Sequence, residues 1–226
     1  MTPSTAASGH ALLEALERSG PRPALAWYGE AARIELSGHV LANWVIKAIG
    51  HLHDEVGLEE GDLVVLDLPP HWKRLVLALA AWSLGAEVVV PPRDPAEAED
   101  PRVVVTDRPD SDLAARADEV LALRPVSLAP RFDGELPALV RDWVLEVRGS
   151  SDRLAVTLPA WSGPAPAAST ANTEDSAETP RLLVEGDGLE AVPALLHAWS
   201  AGGGIVAPAA SVSDRQAADE GVTGRG

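Results

Sequence analysis

The chain has 226 residues, 46% of them apolar, enough for one large α/β domain or two small ones around a real hydrophobic core. Its 34 acidic against 18 basic residues give a net charge of −16 spread along the sequence, which repels phosphate backbones and anionic lipid and so excludes nucleic-acid and membrane-surface roles. Cysteine is absent, which removes disulfides, thiolate nucleophiles and cysteine-based metal sites and fits a reducing compartment.

Residues 1–20 lack a basic segment followed by an apolar one, so no signal peptide is expected, and residues 11–18 read as a short amphipathic helix. The longest apolar run, residues 75–82, is far shorter than the roughly 20 residues that span a bilayer. A cytoplasmic location is expected. Residues 24–28 and 33–36 flank Gly29-Glu30 as the strands of a β-hairpin. Ser37 then offers a helix N-cap, and Val40, Leu41, Trp44, Val45, Ala48, Ile49, Leu52 and Val56 recur at helical spacing until Gly57 stops them.

Residues 63–68 are apolar except for Asp67, as in a strand covered on both faces of a parallel sheet, and Pro69-Pro70 ends them. A helix over about residues 71–84 and a strand over 87–90 complete a βαβ unit. A charged loop (93–100), a strand (102–107), a short helix (112–119) and a strand near 120–123 follow. Leu136, Leu139, Val140, Trp143, Val144 and Val147 predict a helix over residues 135–147. Residues 161–180, rich in Pro, Ala, Ser and Thr, read as a flexible connection. Residues 181–185 then form a strand, 188–200 a helix with Pro193 near its start and 204–207 a strand, and 209–226 a disordered tail.

One internal echo stands out. Ala81-Trp82-Ser83-Leu84-Gly85-Ala86-Glu87-Val88-Val89-Val90-Pro91 aligns without a gap on Ala198-Trp199-Ser200-Ala201-Gly202-Gly203-Gly204-Ile205-Val206-Ala207-Pro208. Either any βαβ unit needs a glycine turn before its buried strand, or the two segments are copies in a pseudo-repeat.

The hairpin, the amphipathic helix, Gly57-Leu58-Glu59-Glu60-Gly61-Asp62, the Pro69-Pro70 turn with Trp72, and Leu84-Gly85-Ala86 before a buried strand ending at Pro91 together resemble, in order and spacing, the N-terminal domain of adenylate-forming enzymes. These are the acyl-CoA synthetase and AMP-ligase superfamily. The whole chain is similar to a family of short actinobacterial proteins related to that domain. The resemblance covers about the first 110 residues, and the pseudo-repeat agrees with it, because the superfamily's large domain has two similar subdomains. It implies an α/β fold, a mostly parallel sheet with helices on both faces like a truncated acyl-CoA synthetase large domain. The expected organisation is an N-terminal subdomain over 1–158, a flexible connection over 159–180, a βαβ unit of a second, truncated subdomain over 181–208 and a tail over 209–226.

The superfamily's phosphate loop needs small residues and a lysine. Where the resemblance would put it stand Ser162-Gly163-Pro164 and Ser169-Thr170-Ala171-Asn172-Thr173-Glu174, without lysine and beside Asp175 and Glu178; Lys47 and Lys73 are the only lysines of the chain. The adenine, ribose and catalytic-lysine signatures are also missing. The expectation is therefore a non-catalytic relative acting in binding or assembly, with no catalytic residue, no metal site and no cofactor. The alternative is an AMP-forming carboxylate ligase that uses ATP and AMP through a degenerate site or a partner chain. The implied partners are a protein or a small-molecule adenylate.

Other residues are weighed on their own chemistry. His51 and His53 lie about 200° apart on a helix and cannot share an ion, while His51 and Glu55 can face each other; a solvated helix face is the simpler expectation. His39, His71 and His197 suit surface or capping positions. Ser83 and Ser200 lack a nucleophile elbow. Gly202-Gly203-Gly204 reads as a helix cap and turn. Trp44, Trp72, Trp82, Trp143 and Trp199 suit core packing, and Trp161, in the polar connection, suits an exposed contact.

Overall fold

The computed structural model describes residues 8–29, 32–91, 100–165 and 179–226. They fall into two compact units, residues 1–42 with 164–226 and residues 43–163, rather than dividing near residue 158. Each unit holds one five-stranded sheet.

In the first unit α1 (Gly9–Ser19) is capped by the Ser8 hydroxyl, buries Leu12, Leu13, Ala15 and Leu16, and ends at Gly20. β1 (Pro23–Gly29) and β2 (Ala32–Ser37) pair antiparallel, Leu25 opposite Leu36 and Trp27 opposite Ile34; turn residue Glu30 lies outside the described residues. β8 (Arg181–Leu183), α5 (Val192–Ser200) and β9 (Gly204–Ala207) follow, with Pro193 in the first turn of α5. The sheet order is β10-β8-β9-β1-β2, parallel except at the hairpin. β9 lies at its centre, fully buried.

Residues 209–226 are not the disordered tail that their polarity suggests. They form a 3-10 turn (Ala209–Ser211), α6 (Asp214–Asp219) and β10 (Gly224–Arg225), which extends the sheet beside β8. Val212 and Val222 pack against a core of Ala26, Leu183 and Val206. A capping box between Ser213 and Gln216 starts α6. Glu220, just past its end, accepts hydrogen bonds from Tyr28 Oη (2.7 Å), Arg33 Nε (2.5 Å) and Arg181 Nη2 (2.6 Å). One carboxylate thus fastens the segment to β1, β2 and β8. Burial raises its pKa, but the hydrogen bonds from both arginines and the tyrosine outweigh that and hold it at about 2.

α2 (Gly38–Gly50), with Val40 N–H on the Ser37 hydroxyl, runs from the first unit's sequence into the second's and buries Leu41, Ala42, Val45, Ala48 and Ile49. Val40, expected on this buried face, is 43% exposed. The helix widens into a π-helical turn (His51–Glu55), closed by Val56 N–H on His51 C=O, and stops at Gly57 with φ 69°.

The second unit's sheet is wholly parallel, in the order β4-β3-β5-β6-β7, from β3 (Leu63–Asp67), β4 (Glu87–Val89), β5 (Val103–Thr106), β6 (Glu119–Ala122) and β7 (Arg141–Asp142). Val65, Val104 and Leu113 centre one of its core clusters. α3 (Trp72–Ser83) is buried at all twelve positions. β4 is an edge strand, not a buried one, with Val89 and Val90 each 42% exposed.

The helix expected over 135–147 shrinks to α4 (Trp143–Val147). Asp142 caps it through Leu145 N–H, and its other oxygen accepts Phe132 N–H, so the chain enters the helix only there. Upstream, Leu139 has φ 70° and is 96% exposed. The apolar spacing of residues 136–140 therefore marks no helix face. The short helix expected over 112–119 is a 3-10 turn (Ala114–Arg116), and the loop residues 93–99 lie outside the described residues.

The echo holds in three dimensions. Ala86 N–H bonds Ala81 C=O (3.1 Å) as Gly203 N–H bonds Ala198 C=O (2.8 Å), and Gly85 and Gly202 have φ of 77° and 75°. Both turns are Schellman caps. Beyond the echo, β3-α3-β4 with β5 on the far side of β3 repeats as β8-α5-β9 with β10 on the far side of β8.

Two outcomes test this packing. A Cβ on Gly203 would stand 1.9 Å from the Pro180 carbonyl oxygen, so Gly203→Ala lowers stability by about 2 kcal/mol in urea unfolding. Glu220 is more acidic folded than unfolded, so its contribution is complete above the ordinary value of 4.5 and is lost as pH falls from there through about 2. Glu220→Gln therefore lowers the urea midpoint at neutral pH and flattens its fall in that acid window.

Candidate functional site

From β3 the chain crosses through α3 to β4 on one side and returns to β5 on the other, so the strand order reverses at β3. In open α/β sheets the crevice beyond the carboxyl ends at such a reversal is where ligands bind. Here Asp67, last residue of β3, faces Thr106, last residue of β5, in register. The buried Asp67 carboxylate accepts Thr106 Oγ1–H (2.9 Å), and Arg108 Nη2 lies 2.9 Å from each of its oxygens. The Thr106 hydroxyl in turn accepts Arg108 N–H (2.9 Å). Lone polar Asp67 in an apolar strand was the sequence signal for this cluster.

The start of α3 gathers the next groups. His71 is its N-cap, Nδ1 accepting Lys73 N–H (3.2 Å). That bond fixes the tautomer: the proton is on Nε2, which faces Ser127 Oγ at 3.3 Å and donates to it. Trp72 Nε1–H also donates to Ser127 Oγ (3.2 Å). Burial, with the nearby charges of Lys73 and Arg74, drives the His71 pKa down to about 3, which keeps the ring neutral as this network requires. The His–Ser pair has the composition of a catalytic dyad and the opposite polarity. His71 gives a proton to the serine oxygen and cannot take one from it.

Lys73 and Arg74 are buried too: Lys73 Nζ donates to Val126 C=O (2.7 Å) and Arg74 Nη1 to Leu68 C=O (2.9 Å). Beyond β6, Arg124 packs 4.4 Å from the Phe132 ring centroid, ion-pairs with Asp133 (2.7 Å) and donates to Asp107 C=O (3.1 Å). It borders a groove of about 690 Å³ lined also by Val126, Ala129, Pro130, Arg131, Leu136, Asp142 and Leu145. Sequence reading missed Thr106, Arg108, Ser127 and Arg124, because only register and chain return bring them together.

The other sequence candidates separate. His51 is not on a solvated helix face: it is fully buried, and its Nε2 lies 3.0 Å from Glu146, which also accepts Arg141 Nη1 (2.8 Å). Burial lowers its pKa against the pull of Glu146, and its Nδ1 has no hydrogen-bond partner among the described residues. His53 is exposed and pairs with Asp54. Among the described residues no three His, Asp or Glu groups converge on a metal position. His39 is exposed and pairs with Glu17, His197 is exposed, and His71 is a cap, though a buried one.

Ser83 and Ser200 each donate to the carbonyl one turn back, Leu79 and Leu196, both at 2.7 Å. Trp72, Trp82, Trp143 and Trp199 are buried. Trp161 is no isolated exposed anchor. It packs on Trp82 at 5.8 Å, while Ser162 Oγ donates to Ala86 C=O (2.6 Å) and Gly163 closes on both indoles. Residues 161–163 thus serve packing, and Ser169 to Glu174, with Asp175 and Glu178, lie outside the described residues. Among the described residues no helix is long and apolar enough to cross a membrane.

Replacing His71 by Asn tests the neutral-histidine network while keeping an N-cap acceptor. The unfolded chain takes up a proton at histidine's ordinary value of 6.5 that the folded chain refuses until about pH 3, so wild-type stability falls as pH drops through that window. In urea titrations across pH, His71→Asn loses about one proton of that dependence.

No family model matches the sequence. A TIGR03089 family protein of Mycobacterium tuberculosis is 32% identical over 160 residues, 68% of this chain and 64% of that protein. Acetoacetyl-CoA synthetase from Streptomyces lividans superposes with TM-score 0.64 at 14% identity, over 88% of this chain and 37% of the synthetase. The N-terminal domain of FACL13 from Mycobacterium tuberculosis, solved with an inhibitor, gives 0.60 at 14% identity, over 88% and 56%. The chain thus spans less than two thirds of each. Its fold is that of the AMP-dependent acyl-CoA synthetases and ligases, of which it carries a part.

Proposed function

We propose that this chain is a binding or assembly module built on the N-terminal part of the acyl-CoA synthetase fold, and that it does not itself form adenylates. The observation that carries this is the use made of its two lysines. Lys73 is buried on the Val126 carbonyl, and Lys47 gives its ammonium to the carbonyls of Arg148 and Ser150. Adenylation needs cations on a triphosphate as charge develops at the α-phosphorus. Both ammonium groups are instead spent on backbone. Asp67, Thr106, His71 and Ser127 are likewise occupied by one another and by their neighbours. A protein partner or a small-molecule adenylate is the ligand class this reading implies.

The shared fold favours one second reading, an ATP-dependent, AMP-forming acid–thiol ligase that needs a partner chain to complete its site. Pyrophosphate exchange separates the two. The purified chain with ATP, Mg²⁺ and a panel of aliphatic and aromatic carboxylates is expected to give no exchange, and robust ATP-dependent exchange with any of them would overturn the proposal. Thermal shifts with ATP, AMP, CoA and a non-hydrolysable acyl-adenylate mimic identify a retained ligand, since saturation at about 100 times Kd adds about 2.7 kcal/mol of stability.

A further inference from the structure

Three of the large apolar side chains that stay exposed, Val126, Leu128 and Leu139, fall in the excursion between β6 and β7, and a fourth, Leu145, stands on α4 just after it. Leu139 is the extreme case. It is 96% exposed and held at φ 70°, a region that costs a leucine energy and wins it no burial. It stands on the rim of a second groove, of about 430 Å³, between the 3-10 turn after β5 and the approach to β7. Ala114, Ala117 and Val120 line it with small apolar groups, and Pro109 and Pro137 line it with restricted backbone.

The charges on this groove have one sign. Among the described residues Asp110 and Asp118 line it and no Lys or Arg does; Arg102 Nη1 stands 4.0 Å from Asp118, whose side chain is 74% exposed. The chain around it carries a net charge of −16. Such a surface repels an acidic occupant and steers in a basic one. Small apolar lining, prolines and a projecting leucine make a seat for the apolar face of a short helical peptide rather than an enclosed cavity for a small molecule.

We propose that this groove docks a basic, apolar-faced peptide segment of a protein partner, whose apolar residue packs on Leu139 and Val120 and whose Lys or Arg side chains meet Asp110 and Asp118. The proposal rests on the binding-module reading and gives it a surface and a partner chemistry. Adenylate formation is read by pyrophosphate exchange and docking by peptide binding, so the two fail separately.

The test is fluorescence anisotropy of the full chain with a labelled Leu/Lys amphipathic peptide of about three helical turns, against Gly/Lys and Leu/Glu peptides of the same length. The Leu/Lys peptide is expected to bind and the other two to bind at least about tenfold more weakly. Leu139→Asn, in which asparagine accepts the left-handed backbone and leaves the melting temperature unchanged or higher, is expected to weaken binding about tenfold. Asp110→Asn with Asp118→Asn is expected to weaken it and flatten its salt dependence. Leu145→Asn, on the other groove, is the control expected to change nothing. Absence of Leu/Lys binding, equal binding of Gly/Lys, or indifference to Leu139→Asn or to the aspartate pair would each overturn the proposal.

Discussion

In both units a helix hands its chain straight into a parallel strand through a glycine of positive φ, and both sheets depend on that turn. At Gly85 and at Gly202 a Schellman cap closes the helix, a tryptophan three residues earlier is buried, and the strand begins within two residues. Gly203 and Gly204 tighten the second copy, because the carbonyls of Pro180 and Pro23 occupy the space their Cβ atoms would need. The two copies then diverge. The first delivers edge strand β4 and the second the central strand β9. Agreement in cap, strand order and sequence offset favours a repeated unit over independent use of a common turn.

Around these turns the polar groups serve the fold. Glu220 collects two guanidinium groups and a phenol and so fastens the carboxyl-terminal segment, and Asp67 binds Thr106 and Arg108 across the reversal of the second sheet. Buried charges persist only when paired and hydrogen-bonded, and both carboxylates meet that condition. The same accounting explains why a buried His–Ser pair beside a lysine is no nucleophile. The backbone amide of Lys73 claims the one nitrogen that could act as a base.

The exposed surface differs in kind. Arg124 with Phe132 borders one groove and Asp110 with Asp118 lines the other, while the segment from Leu136 to Val140 contributes to both. That segment has neither helix nor buried strand to justify its apolar residues. On the docking proposal, those residues are there to be presented rather than packed.

By itself the sequence determined the local punctuation and the fold class. Gly57, Gly85 and Gly202, the Pro69-Pro70 turn, the continuous apolar strands and the helical spacing in α2 and α3 act over a few residues, where backbone sterics leave little choice. Tertiary structure decided the rest. Apolar spacing over 135–147 did not make a helix because Asp142 found both a cap and the Phe132 amide. The polar residues 209–226 folded because Glu220 met partners from three strands far away in sequence. His51 went inside because Glu146 and Arg141 waited there, and Trp161 packed because Trp82 offered a face. Each outcome turns on a charge or ring brought close by the chain's return, and no local pattern encodes that.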